Sequence, residues 1–525
     1  MPAAAFATLR PTNTLGRLAF SDLYETFTIK RQNTQEDASP AFQRMAVEGL
    51  QTFDGDVLRL RLETERRASQ NAYSSDAETS DGLQEPESDM EEQHQELGKI
   101  WIGHYVLGLN SAPFIPERGY TVGKGPLENI NFDLLLCTKS FAKWHGINLR
   151  NPHGRFNFSP GNRGLYVVSC SRSQSTQLTV NGESAQWPYA LNQHSMNIRF
   201  DKLEYTFQWT DYAATEDFMK KRSKYVTSTL GGPLEVDVDL PTPLPNRRMI
   251  GRWTLGEALG AGGHGRVFFA TNPLGEIAAV KMIERTSKNY GIVDAEVQVC
   301  DEVTTFAGKY DDGGRILRVV EVLYSKDKKF SFKVAFDNIA VVLQPMTPRT
   351  LADSCGVKSK GGSKGMTIET AITFRDALAG LQVMHNGGWT HRDLKPTNIG
   401  VVGTPARAVL LDVGTSAYLR HGTTIKPNPG AVGTIGYLAP ELELEDYNHS
   451  IDIWAMGVTL YYLTYKHHPW HLALNPWRDG KENEELRPHF RKMYQEAIDK
   501  MTIDYNIARQ SPTAGYIHRE CFVHV

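Results

Sequence analysis

Two short strings in the second half of the chain restrict its fold more than any other feature: HRDLKPTN, from His391 to Asn398, and LLDVG, from Leu410 to Gly414. They bring two carboxylates (Asp393, Asp412), a carboxamide (Asn398) and an ammonium group (Lys395) into one short stretch. The apolar run before Asp412 reads as a strand. Upstream, LGAGGHGRV sets Gly260, Gly262, Gly265 and Val267 in a GxGxxGxV spacing between two strand-like runs. Glycines there let the backbone approach a phosphate with no side chain in the way. A strand follows them, whereas a dinucleotide-binding βαβ fingerprint would need a helix. That next strand, AAVKMI, carries Lys281, whose ammonium group needs an anionic partner if buried. Glu296 in DAEVQVC is the best candidate and Glu302 a weaker one.

This set meets the demands of phosphoryl transfer. That chemistry needs a carboxylate to orient and deprotonate a hydroxyl (Asp393), a cation against phosphate (Lys395) and oxygen ligands for magnesium (Asn398, Asp412). With GTIGYLAPE (Gly433–Glu441) and SIDIWAMGV (around Asp452) downstream, residues 253–525 resemble a eukaryotic protein kinase domain. The resemblance implies a bilobal α+β fold, a small β lobe before a large helical one. ATP would lie in the cleft with two Mg²⁺ ions. Leu259, Gly260, Gly262, Gly265 and Val267 would cover the nucleotide, Lys281 would hold its α- and β-phosphates, and Glu296 would position Lys281. It also implies a hinge through Gln344, Pro345 and Met346, a gatekeeper at Leu343, and Arg509 pairing with Glu441. Within the large lobe, AITFRDALAGLQVMHNGG reads as a helix with Ile372, Leu378, Leu381 and Met384 on one face and glycines at its C-cap. IDIWAMGVTLYYLTY, apolar nearly all round, reads as a buried helix.

Lys395 and Thr434 resemble the serine/threonine branch, which makes protein Ser/Thr hydroxyls the expected acceptors. Arg392 is a cation able to grip a phosphorylated activation segment, in which Thr423 and Thr424 are candidate acceptors. Thr397 and Thr350 stand where many basophilic kinases have glutamate, so no preference for upstream arginine is carried over. Val413 replaces the family's DFG phenylalanine. It is smaller but apolar, so the departure bears on regulation, while Asp412 and Gly414 keep the chemistry. The rival reading is a catalytically silent scaffold.

The rest of the chain is less specific. At 525 residues it is too long for one core, and two or three folded units are expected. A net charge of −3 gives no reason to expect nucleic acid as a direct partner. Five scattered cysteines (Cys137, Cys170, Cys300, Cys355, Cys521) without CxxC pairing suggest reduced thiols in an intracellular compartment. No signal peptide or membrane-length apolar run is evident, so a cytoplasmic or nuclear protein is expected. Between Asp76 and Glu96 there are nine acidic residues and no Lys or Arg; residues 1–97 are read as largely disordered on that account.

Residues 98–210 show short alternating runs such as IWIGHYVLGL, LYVVSC and YTFQW between NG, GNRG and NPHG turns, the pattern of an all-β sandwich. GYTVGKGP, AKWHGI and STQLTVNG resemble a forkhead-associated domain, which implies phosphothreonine proteins as partners. Gly123, His145, Val180, Asn181 and Gly182 match its pattern. Lys124 replaces its arginine, Ala142 its serine, and Gln177 stands near its loop asparagine. Lys124 and Lys143 would then supply charge to phosphate, as point cations without arginine's fork. His145 is read as a structural hydrogen-bonder. Residues 211–250 read as a linker, in which KKRSK (Lys220–Lys224) is a solvated basic loop or an import signal, and the kinase-like domain occupies 251–525. A forkhead-associated module before such a domain resembles checkpoint kinases.

Overall fold

The computed structural model describes residues 5–465, apart from 35–39, 54, 74–97, 126–132, 171–177, 232–239, 241, 246, 263–264, 325–337, 354–365, 429–430, 435, 440 and 443–444. The acidic run 76–96, Gln177, Cys355, Arg509 and Cys521 lie outside the described residues. The chain divides into two compact units: residues 1–254 with 271–276, and 255–270 with 277–525.

In the first unit, seven strands form one sheet in the order Met45–Thr52, Lys99–Gly108, Ala5–Pro11, Leu203–Trp209, Ser195–Phe200, Leu178–Val180, Glu183–Ser184. Five form a second: Tyr189–Ala190, Leu165–Ser169, Gly154–Phe158, Tyr120–Gly125, Leu134–Thr138. Their inner faces meet in one apolar core, where Phe156 of one sheet stacks on Phe207 of the other at 6.1 Å. Asn181 and Gly182, both at positive φ, make the tight turn that the NG dipeptide calls for.

Two expectations are corrected here. The described residues before 74 are largely strand and helix. Ala5–Pro11 lies inside the larger sheet and pairs with Lys99–Gly108 on one side and Leu203–Trp209 on the other. The helix Thr14–Thr34 buries Leu18, Ala19, Phe20, Leu23 and Phe27, an amphipathic spacing that overrides any inference from the acidic run further on. The sandwich is therefore neither all-β nor confined to 98–210. The second correction concerns the linker. Residues Glu216–Thr229 form a helix, capped by the Thr215 hydroxyl accepting from the Phe218 N–H. Phe218, Arg222 and Val226, four residues apart, are its buried face. KKRSK lies on this helix, and Arg222 points inward to donate to the Leu240 carbonyl at 2.9 Å. The string is thus not a solvated loop.

The second unit has two lobes. In the smaller, strands run in the order Trp253–Gly262, Gly265–Thr271, Ile277–Glu284, Asn338–Gln344, Arg318–Tyr324, with the helix Tyr290–Tyr310 packed against them. Val293 and Val297 of that helix share a core with Ile283, Ile339 and Val341. The larger lobe is built around the helices Ile368–Asn386 and Ser450–Tyr465. The first ends at Gly387; its buried residues include Phe374, Ala377, Leu381 and Met384, while Ile372 is exposed, so the helical face is rotated from the one expected. Among the described residues no helix is long and apolar enough to cross a membrane.

Candidate active site

Lys281 lies on Ile277–Glu284 opposite Val341 of the neighbouring strand. Its ammonium group meets Glu296 Oε1 at 2.7 Å and Asp412 Oδ1 at 2.9 Å. Burial alone would push the Lys281 pKa down, but Asp412 and Glu296 outweigh it and raise it, so the side chain is a fixed cation. Glu302 bonds instead to Gln298 on the exposed side of the same helix.

Asp412 sits at the end of the short strand Arg407–Leu410 in a left-handed conformation, φ +55° and ψ +49°. A non-glycine residue there is strained unless its surroundings fix it. The two residues after it show how they do. Val413 is buried in the core of the larger lobe, which it shares with Val303, Leu394 and Leu410. A Cβ on Gly414 would lie 2.4 Å from Glu296 Cγ, so only glycine lets this turn reach the helix that carries Glu296.

The second carboxylate has three donors. Asp393 Oδ2 accepts from Asn398 Nδ2 at 2.9 Å and meets Lys395 Nζ at 3.2 Å; Oδ1 accepts from the Thr434 hydroxyl at 2.6 Å. Lys395 also donates to Thr434 Oγ1 at 2.6 Å. Asn398 spends both amide hydrogens on Asp393, the second on its carbonyl at 2.7 Å, which leaves Oδ1 as an oxygen ligand.

Beneath this loop lies Asp452, 1 % exposed, whose carboxylate takes the main-chain N–H groups of His391 at 2.8 Å and Arg392 at 2.9 Å. Those two bonds hold Arg392 at φ +70°, the second left-handed residue of the site. Burial would raise the Asp452 pKa, but hydrogen bonding and charge from His385, then His391 and the Arg392 N–H, hold it below the usual carboxylate range. His385 Nε2 lies 2.9 Å from Asp452 Oδ2. The His391 ring meets the Leu411 carbonyl at 2.8 Å and so ties the Asp393 loop to the Asp412 turn. The only signal of His385 in the sequence is a histidine in the last turn of a helix shortly before HRD.

Of the glycines, Gly265 has φ +133° and a Cβ there would strike the Met282 carbonyl at 2.2 Å, whereas Gly260 has open space around it. Leu259 is exposed and Val267 half-buried; Gly262 closes its strand. Gln344 turns its amide to the Ile277 carbonyl at 2.8 Å, and Leu343 and Met346 are buried. Thr423 and Thr424 are exposed, and their hydroxyls donate to the Arg420 carbonyl and to Asp446. In the first unit, Lys143 is exposed on the short helix Lys139–Trp144, and Lys124 is half-buried on the strand Tyr120–Gly125. His145 meets the Thr64 hydroxyl at 2.8 Å, a structural role.

A lysine–glutamate pair reaching a strand-end aspartate, beside a second aspartate held by asparagine and lysine, defines a phosphotransfer site of the kinase type. The sequence pattern of the protein kinase domain matches residues 253–522, about half the chain, and the chain belongs to that family. It is 31% identical over 220 residues to the CBL-interacting serine/threonine-protein kinase 8 of Arabidopsis thaliana, covering 41% of this chain and 44% of that one. It is 32% identical over 215 residues to the CBL-interacting serine/threonine-protein kinase 17 of the same plant, covering 40% and 45%. Calcium-dependent protein kinase 22, also from Arabidopsis thaliana, is 27% identical over 224 residues, covering 40% of each. The chain thus spans less than half the length of these relatives.

Proposed function

We propose that the second unit is a magnesium- and ATP-dependent serine/threonine protein kinase. The observation that carries this is the joint placement of Lys281–Glu296–Asp412 and Asp393–Asn398–Lys395 within one lobe pair. The donor set fits the nucleotide. Asp412 and Asn398 offer hard oxygens, and two such ligands suit Mg²⁺, which completes its shell from phosphate and water. No cluster of three or more His, Cys, Asp or Glu able to hold a metal alone exists among the described residues. The metal, when bound, would neutralise charge on the β- and γ-phosphates. Lys281 offers a fixed ammonium to phosphate oxygens while Glu296 keeps it in place. Asp393 accepts the proton of the acceptor hydroxyl, and Lys395 stands beside it to meet the γ-phosphoryl oxygens. Thr434 bonds both, which sets the loop that receives the substrate against the base.

Turnover of Mg²⁺-ATP on a generic protein substrate tests this reading. Asp412→Ala is expected to abolish activity, whereas Val413→Phe, which enlarges an already apolar buried contact, is expected to retain or raise it. Equal null results in wild type and Asp412→Ala would favour the silent scaffold. A second expectation comes from Gly414→Ala. Its methyl group would displace Glu296 and leave Lys281 held by Asp412 alone, so the KM for ATP should rise about tenfold, measured by initial rates; an unchanged KM would show that the helix yields without cost.

Recognition of phosphothreonine proteins by the amino-terminal unit has narrower support. The two-sheet sandwich and the Asn181–Gly182 turn agree with it. The phosphate contacts do not, because Ala142 is buried where a hydroxyl would be needed and Lys143 stands apart on the surface. We therefore rest no targeting or checkpoint role on it.

A further inference from the structure

Arg392 offers the cation that a phosphorylated activation segment would grip, yet its guanidinium already has partners. Nε donates to the Thr415 carbonyl at 2.6 Å, Nη2 to the Ser416 carbonyl at 3.4 Å, and Nη1 to the Tyr447 hydroxyl at 3.4 Å. Tyr447 is buried, and its main chain forms a two-bond antiparallel bridge with Ile425: Ile425 N–H to Tyr447 O at 2.8 Å and Tyr447 N–H to Ile425 O at 2.9 Å. One residue thus holds the activation segment by its backbone and the catalytic loop by its phenol. Ile425 adds apolar contact with the cluster of Tyr447, Leu438 and Ile451.

The candidate phosphate acceptors point elsewhere. In an antiparallel pair the residues flanking an opposed couple turn to the other face. Thr424 and Asp446 flank Ile425 and Tyr447 in this way, and the Thr424 hydroxyl donates to Asp446 Oδ2 at 3.3 Å. A phosphate on Thr424 would face a carboxylate instead of Arg392. From Ile425 to Gly433 the sequence has no Ser, Thr or Tyr at all.

We propose that Tyr447 is a positioning residue that fastens Arg392 and the activation segment together, so that the working arrangement forms without phosphate. This rests on the kinase reading of the second unit, and the experiment separates the two. In phosphatase-treated full-length protein, the Thr423→Ala/Thr424→Ala double variant should turn over within about twofold of wild type. Tyr447→Phe removes one hydroxyl and should lower kcat about threefold to tenfold with the KM for ATP unchanged, since Lys281 and Asp412 are untouched. Thr424→Glu should lower turnover, and adding Asp446→Asn should restore it. Hydrogen exchange reads the same clasp without any activity: the amide of Ile425 should be protected in dephosphorylated wild type and less so in Tyr447→Phe. Loss of turnover in the double threonine variant, or an unprotected Ile425 amide in the dephosphorylated protein, would overturn the proposal. An inactive protein with a protected Ile425 would uphold the clasp and sink the kinase reading.

Discussion

Asp393→Asn is expected to lower kcat about 10²–10⁴-fold, the usual contribution of a positioned general base, while leaving fold and nucleotide affinity intact. The geometry explains why the loss should be clean. Asp393 receives three donors: Asn398 and Lys395 on Oδ2, Thr434 on Oδ1. An asparagine can keep its carbonyl oxygen toward Asn398 and Lys395 and turn its amide toward Thr434. The Thr434 hydroxyl, which also accepts from Lys395, can reverse to accept once more. The loop therefore keeps its shape and loses only the charge and the proton acceptor. Lys281, Glu296 and Asp412 lie outside this network, so the KM for ATP should hold. Steady-state rates against ATP concentration, with a melting curve as control, check both halves. Wild-type turnover in the variant would remove Asp393 from its proposed role.

Much of this site was legible because its working groups lie in contiguous strings. A loop that must present a base, a phosphate contact and a metal ligand within hydrogen-bonding reach of one another does so most simply with neighbours in sequence, as in Asp393, Lys395 and Asn398. The supporting contacts were not legible, since each joins distant segments. His385 reaches Asp452, Tyr447 reaches Arg392, and Gly414 is required by a side chain, Glu296, that comes from another lobe layer. Arg392 shows the limit most clearly. Its position beside Asp393 suggested a phosphate ligand, but what a guanidinium binds depends on which carbonyls the fold brings to it.

The fold of the amino-terminal unit is hard to see in the sequence for a related reason. Strand patterns between 98 and 210 were visible in the alternation of buried and exposed residues, as in Leu203–Trp209. The strand that unites them was not. AFATLRP has too few alternations to stand out, and its partners, Lys99–Gly108 and Leu203–Trp209, lie far along the chain. The acidic composition of residues 76–96 says nothing about the segments before it, because charge in one segment sets no limit on burial in another.

Phe6→Ala puts this correction to the test. The Phe6 side chain is fully buried, with its ring 5.9 Å from Tyr120, 5.5 Å from Phe158, 6.0 Å from Trp209 and 5.4 Å from Phe218. It thereby touches both sheets and the helix Glu216–Thr229, all elements of the first unit. Truncating a buried phenylalanine costs about 3–5 kcal/mol through lost burial and the cavity left behind. For a unit of this size that corresponds to a fall of about 6–20 °C in its melting transition, read by calorimetry on the full chain. Phe114, which is 49 % exposed, serves as the control, and Phe114→Ala should shift stability by no more than about 0.5 kcal/mol. If residues 1–97 were a solvated tail, the two variants would melt alike. A large drop for Phe6→Ala alone requires the first strand to be part of the core, because only a side chain removed from water on folding can leave a cavity when it is cut back.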